Sequence, residues 1–447
     1  MTEGVPTPTP APAEETDDGG SYLPLMLLAP VGGAIAGLVC ALFRLVLTEA
    51  DDWRVATVTG LKGDGSNGLL LVVGASAAAA GLATWLVRRY AIEAGGSGIP
   101  HVEAVLRGEL KASGLLLVPV KFVGGLLAIG SGLALGREGP SVQMGATISE
   151  ALGRLYNLSR ADCRVLLAAG AGAGLATAFN APMGGAIFVL EELVRRFETR
   201  IAIAALAASA SAIIVSHAIL GSAPDFRFPA VTVPEPTDMW LYVVLGTLAG
   251  FAAVAYNKAV LGALALNDSL AAVPASAKAA VIGGVVGVIG WYAPRLIGGG
   301  DTLTQSALLG EGMILSLALL FLARFALGAL SYAAGTPGGL FAPLLVLGAQ
   351  LGLVVGVAFD TMMPAAALEK AGFAVVGMAA LFAGVVRAPL TGIALVLEMT
   401  ASATMLLPVL AACFMAMLVP TALRNPPIYD SLGLRTARLA ARQRGSR

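Results

Sequence analysis

Gly136-Arg137-Glu138-Gly139-Pro140 is the stretch from which this chain is best read. An apolar run from Leu115 to Leu135 leads into it, and glycines and a proline then hem in an arginine and a glutamate. The surroundings make that pair expensive. Of 447 residues, 57% are hydrophobic and 13% charged, and the mean hydropathy is +0.83. A soluble chain carries about twice that charge fraction. An ionisable side chain at the bilayer centre costs roughly 2.5–3.5 kcal/mol on insertion scales, so it marks a functional position by default. The apolar runs are continuous and lack the alternation of a membrane β-barrel. The expected class is an all-α polytopic membrane protein.

Apolar segments are expected at about 22–46, 68–87, 115–135, 163–179, 182–193 and 201–220. A Pro- and Asp-rich break from Ala223 to Asp238 follows, then segments at about 239–262, 277–292, 313–333, 341–358, 372–386, 389–398 and 403–420. Several fall short of the roughly 20 residues that span a bilayer. Short, Gly/Pro-interrupted segments point to helices that stop part-way, and in transporters these flank the binding site. Residues 1–21, rich in Pro, Thr and acids, read as a disordered tail. They lack the basic start of a cleaved signal peptide, so the first apolar run is expected to be retained. Arg88-Arg89, then Arg154, Arg160 and Arg164, then Arg195-Arg196 and Arg200 mark cytoplasmic loops by the basic-residue bias. The basic tail 433–447 (Arg435, Arg438, Arg442, Arg444, Arg447) places the C-terminus on the same side. The expectation is a multi-pass protein of the inner (plasma) membrane with both termini cytoplasmic.

An internal repeat is visible. Ala181-Pro182-Met183-Gly184-Gly185-Ala186-Ile187-Phe188-Val189-Leu190-Glu191 matches Ala388 to Glu398 at six of eleven positions, at an offset of 207 (388 − 181). A glycine-rich break with a proline lies upstream of each copy: Gly136 to Pro140 for the first, Gly335 to Pro343 for the second. The expected organisation is a first membrane repeat at 22–222 and a second at 223–432, with a site at their interface.

Gly95-Gly96-Ser97-Gly98-Ile99-Pro100, Gly136 to Pro140 and Gly335 to Pro343 can each begin a helix. A fourth break lies late in the chain, Asn425-Pro426-Pro427-Ile428-Tyr429. A helix N-terminus offers unpaired N–H groups and partial positive charge, which suits an anion. Neutral donors such as N–H and hydroxyl groups hold an anion loosely enough for it to leave.

These four motifs, in this order and spacing, resemble the signature of the CLC chloride channels and transporters: GSGIP at 96–100, GREGP at 136–140, GGLFAP at 338–343 and the late Tyr429. Asn180-Ala181-Pro182 followed by Glu191-Glu192, and Arg387 to Gly392, extend the likeness over about 22–432. The short bacterial proton–chloride exchangers are the most similar in pattern. The resemblance implies an inverted-repeat fold of about eighteen helices and a homodimer with one pathway per subunit, here without the cytoplasmic CBS pair of domains. It implies that the Ser97 and Tyr429 hydroxyls and the Leu340 and Phe341 N–H groups hold a central chloride. Backbone N–H groups around Arg137 to Gly139 form an outer site, the Glu138 carboxylate competes for it, and Glu192 takes protons from the cytoplasm. In the second repeat Glu398-Met399 stand where the first has Glu191-Glu192, so only one half carries the second acid.

The function expected is exchange of chloride for protons; the alternative is a passive chloride channel of the same fold. A remote third reading is an intramembrane serine hydrolase, using Ser97 with His101 or a second small-residue serine, Ser76; neither serine has an evident base and orienting group. No metal spacing, cofactor motif or nucleic-acid-binding cluster is present in the sequence, and the chain is expected to need no cofactor. Cys40, Cys163 and Cys413 read as small buried hydrophobes. Lys121, in an apolar stretch, is either buried, acting on the potential along the pathway, or snorkelling. His101 faces water or lines the inner mouth.

Overall fold

The computed structural model describes residues 23–229, 231–364 and 368–445, with side chains as far as 439. The expected tail at 1–21 lies outside these residues, as do the side chains of Arg442, Arg444 and Arg447. Among the described residues there are seventeen α-helices joined by short 3-10 turns, against the eighteen or so implied by the resemblance. The first part comprises α1 (Leu23–Leu61), α2 (Gly65–Tyr90), α3 (Ile99–Leu106), α4 (Leu117–Gly130), α5 (Glu138–Leu155), α6 (Arg160–Phe179), α7 (Pro182–Phe188) and α8 (Thr199–Leu220). The second comprises α9 (Met239–Ser269), α10 (Ala275–Tyr292), α11 (Asp301–Leu308), α12 (Ile314–Ala333), α13 (Phe341–Met362), α14 (Lys370–Val386), α15 (Pro389–Thr400), α16 (Leu406–Ala422) and α17 (Ile428–Gly445). Seven helical stretches among the described residues are long and apolar enough to cross a membrane.

Hydropathy located most of these helices and missed four, among them α5, whose Glu, Gln, Ser, Thr and Arg residues keep it from reading as an apolar run. The eight-residue α3 and α11 are too short to register as apolar runs. The polar α17 begins at the fourth proline-rich break, which therefore starts a helix like the other three; the basic segment from 433 to 445 belongs to it. The first helix also runs on to Leu61, well past the end of its apolar run; within it Arg44 pairs with Asp225 and Arg54 with Asp51.

The two parts pack alike. α5 lies on α6, and α13 on α14; α1 lies on α8, and α9 on α16. Each first pair crosses at facing glycines, Gly145 with Gly170 and Gly348 with Gly377. A Cβ at any of these would come within 2.4 Å of the opposite carbonyl oxygen. Small residues are what lets helices approach this closely without a hydrophobic drive between them. α6 ends in a left-handed Asn180 and α14 in a left-handed Arg387. Ala-Pro follows each, and proline opens α7 and α15, where its missing N–H leaves nothing unpaired.

Glu191 and Glu398 join the two parts reciprocally. The Glu191 carboxylate accepts the N–H groups of Leu390 (2.9 Å) and Thr391 (2.7 Å) at the start of α15. The Glu398 carboxylate accepts those of Met183 (3.0 Å) and Gly184 (2.8 Å) at the start of α7. Acids and acceptor positions are all related by the same offset of 207 (398 − 191, 390 − 183, 391 − 184). Exchanging the parts maps each bond onto the other, as a two-fold relation requires. Both acids are structural caps, because these four first-turn N–H groups have no partner within their own helices. Loss of a capping side chain costs roughly 0.5–2 kcal/mol. Glu398→Ala and Glu191→Ala are each expected to lower the thermal unfolding temperature in detergent by a few degrees. Glu191→Ala should cost more, since Glu191 also accepts the Thr391 hydroxyl at 2.8 Å. An unchanged midpoint in both would contradict the capping role.

Candidate functional site

The glycine-rich breaks meet at one place. Gly136 and Gly339 exchange two backbone hydrogen bonds, of 2.9 and 2.7 Å. Gly96 donates to the Thr336 carbonyl (3.0 Å) and accepts from Gly338 N–H (3.1 Å). These short pairings fasten the starts of α3, α5 and α13 together. Phe341, the first residue of α13, stacks on Tyr429 of α17 with ring centroids 6.0 Å apart, and α17 lies against α3. Four helix N-termini therefore converge on one buried spot, each worth about half a positive charge.

Glu138 is fully buried there. Its Oε1 accepts the N–H of Ala342, in the first turn of α13, at 2.9 Å; its Oε2 has no hydrogen-bond partner. The glutamate thus begins one helix while its carboxylate sits on the start of another. Gly136 makes room for this: a Cβ there would lie 2.0 Å from Oε2. Arg137 turns away. Its Nε donates to the Ala178 carbonyl (3.1 Å), and its guanidinium faces Asp301 (3.4 Å) and Asp225 (3.6 Å). The expected outer-site residues divide accordingly: Arg137 contributes backbone, its charge being engaged elsewhere, and Gly139 abuts Ser97, whose Oγ would be 2.6 Å from a Cβ on Gly139.

Ser97 and Tyr429 are buried, and neither hydroxyl satisfies hydrogen-bond geometry with a protein group. The two hydroxyls nonetheless lie within reach of each other, and Tyr429 is close enough to Glu138 and Glu192 to feel both electrostatically. Two orphaned buried hydroxyls beside the fully buried Leu340 and Phe341 form a donor set for an anion, because leaving such groups unpaired costs about 1–3 kcal/mol each. Phe341 is boxed in by Phe382, Phe188 and Phe179 as well as Tyr429, which fixes the start of α13.

Lys121 does not snorkel. It is fully buried, and its Nζ donates to the carbonyls of Ala94 (2.9 Å), Gly96 (2.8 Å) and Ser97 (3.3 Å), holding the loop that carries Ser97. His101 bonds Ser113 Oγ at 3.0 Å and leaves Ser97 without a base, and Ser76 donates to the Ser131 carbonyl. The hydrolase geometry is therefore absent at both serines.

Glu192 sits on a π-helical turn, Val189–Leu193, that continues α7. Widened turns of this kind are frequent at functional sites. Glu191 caps α15 from this turn, while Glu192 is buried near Arg195 (3.4 Å). Arg195 is bound more tightly by Asp430, at 2.6 Å, so Glu192 is only loosely neutralised. Glu103, also buried, lies within electrostatic reach. The sequence reading missed Glu103 and Asp430; their signals were position, six residues after Ser97 and next to Tyr429. Glu138 also lines a cavity of about 410 Å³, together with Arg137, Asp301, Ala342 and Met399 among others. Met399 is the counterpart of Glu192 at the offset of 207 (399 − 192), so a thioether stands in the second half where the first has the acid.

Residues 79–421 match the family described as voltage gated chloride channel. The chain belongs to the CLC family. It is 38% identical over 427 residues to the H(+)/Cl(-) exchange transporter ClcA of Vibrio parahaemolyticus, covering 94% of this chain and 91% of that one. The ClcA of Salmonella arizonae is 35% identical over 422 residues, covering 93% and 89%. Among solved structures, a slow cyanobacterial Cl-/H+ antiporter superposes with a TM-score of 0.88 at 33% identity, covering 92% of this chain and 97% of that one. A eukaryotic CLC transporter gives 0.79 at 26% identity, covering 92% and 74%. A CLC-type fluoride/proton antiporter gives 0.72 at 22%, covering 89% and 96%, a likeness of fold. This chain is thus a multi-pass membrane protein of CLC fold.

Gly136→Ala tests the crowding at the CLC site. The added methyl overlaps the Glu138 carboxylate, at a cost of about 1–3 kcal/mol for overpacking. A structure of the variant is expected to show the carboxylate off the Ala342 N–H. A carboxylate still bonded there would contradict the assigned role of Gly136.

Proposed function

We propose that this CLC protein is a secondary antiporter exchanging chloride for protons, with Glu138 as the gate and Glu192 as the inner proton donor and acceptor. The observation that carries the reading is the bond from Ala342 N–H to Glu138 Oε1. The carboxylate occupies a helix N-terminus in the way a chloride would, beside two unpartnered hydroxyls. As an anion it competes with chloride for these donors. When protonated it loses the charge that held it, and chloride takes its place. One side chain thereby links the two ions without a separate gate.

Chloride is held by Ser97 and Tyr429 hydroxyls with Leu340 and Phe341 N–H groups, and further out by N–H groups around Arg137 and Gly139. Glu192, loosely paired to Arg195, exchanges protons with the side bearing Arg88, Arg89 and Arg196, which the basic-residue bias makes cytoplasmic. Both termini lie on that side of the inner membrane. The functional unit is a homodimer with a path in each subunit, and the halves 22–222 and 223–432 are its inverted repeats. The names of the ClcA relatives and of the cyanobacterial antiporter support the same chemistry.

Reconstituted protein, followed with chloride and proton electrodes together, is expected to pump protons when given a chloride gradient. Glu138→Gln is expected to abolish proton movement and leave chloride flux independent of pH; Glu192→Gln is expected to stop protons while chloride still moves. Chloride flux without protons in the parent protein would make it a channel, and proton pumping by Glu192→Gln would remove the inner relay. Ser97→Pro is expected to shift preference toward nitrate; unchanged selectivity would place Ser97 outside the site.

A further inference from the structure

Arg324, in α12, is fully buried, and no carboxylate pairs with it among the described residues. It donates to three carbonyls: Leu296 (2.8 Å), Gly298 (2.9 Å) and Gly299 (3.1 Å). Lys121 holds Ala94, Gly96 and Ser97 in the same manner. The acceptors correspond one to one at an offset of 202 (296 − 94, 298 − 96, 299 − 97), and the cations at 203 (324 − 121). Each clamped loop ends in a left-handed glycine, Gly98 or Gly300, that precedes an eight-residue helix. A buried cation neutralised only by carbonyl dipoles is costly, yet both halves keep one in the same place.

The first clamp presents Ser97 to the anion. The second presents Asp301, the first residue of α11, to Arg137 at 3.4 Å. It also holds Gly298, whose N–H donates to the Gly132 carbonyl at 2.7 Å, in the turn leading to Glu138. Gly299, Gly300 and Asp301 line the 410 Å³ cavity with Glu138. We propose that Arg324 is a positioning residue for the gate: by clamping the 296–299 carbonyls it keeps Asp301 on Arg137, and so sets how protons from the outer side reach Glu138. This rests on Glu138 being the titrating gate. The other charges facing this mouth are Asp225 from the loop after α8, Arg44, Asp51, Asp52 and Arg54 from α1, and Arg295 before α11. Asp225 is shared between Arg44 and Arg137 and Asp51 pairs with Arg54, but Asp301 directly follows the clamped carbonyls, so it is the acid whose placement the clamp controls.

The test is the external-pH dependence of chloride/proton exchange in oriented proteoliposomes at fixed internal pH. Asp301→Asn leaves Arg137 more strongly positive beside Glu138, and the midpoint is expected to fall by about one pH unit. Arg324→Met is expected to move it in the same direction, because Asp301 is released. Loss of the Arg324 charge alone would move it the opposite way, so the sign separates the clamp from a simple field effect. Arg324→Lys is expected to restore the parent profile, as Lys121 shows that one ammonium can hold three such carbonyls. The internal-pH profile should not change in any of them. A rise or no shift in Arg324→Met overturns the proposal, as does an unshifted Asp301→Asn, which decides the matter even if Arg324→Met fails to fold. Glu138→Gln is the control for the gate itself: if it keeps the external-pH dependence, the reading of Glu138 fails, whatever the Arg324 variants do.

Discussion

Two backbone hydrogen bonds between Gly136 and Gly339 hold the rest of the site in register. They bring the starts of α5 and α13 close enough for the carboxylate of one helix to sit on the N–H groups of the other. Glycine is needed because the carboxylate occupies the space a side chain at 136 would take. In a dry interior an unpaired carboxylate is prohibitively costly, and the converging helix ends offset that cost. Under the proposed exchange the same ends attract chloride, and competition between the two anions follows from the packing with no additional device.

The scaffold is nearly symmetric and the chemistry is not. Glu191 and Glu398 cap each other's helices, and Lys121 and Arg324 clamp matching carbonyls. Against that frame, the acids proposed to handle protons occur once: Phe341 opens α13 as Glu138 opens α5, and Met399 stands where Glu192 would. Glu192 further lies on a π-turn with no counterpart in the regular α15. A duplicated fold supplies two sets of helix ends, and single-residue differences leave each of these acids in one half only.

Much of this was legible in the sequence. The Glu191 and Glu398 segments showed the repeat, and the glycine-rich breaks showed where α3, α5 and α13 start, because Gly and Pro leave strong local marks. What escaped has a common physical reason. α3 and α11 are too short for hydropathy to register, and α5 and α17 are too polar. The partners of Arg137, Asp225 and Asp301, lie 88 and 164 residues away (225 − 137, 301 − 137). Lys121 could not be told from a snorkelling side chain, since its partners are backbone carbonyls that no side-chain pattern reveals.

The central claim is that chloride and the Glu138 carboxylate share one set of donors. Titration calorimetry of chloride binding, run at one pH in buffers of different ionisation enthalpy, counts the protons taken up per chloride bound. Displacing the carboxylate with an anion favours its protonation, so the parent protein is expected to take up protons as chloride binds, and Glu138→Gln none. Equal uptake in the two proteins, or none in the parent across the pH range in which it transports, would contradict the account.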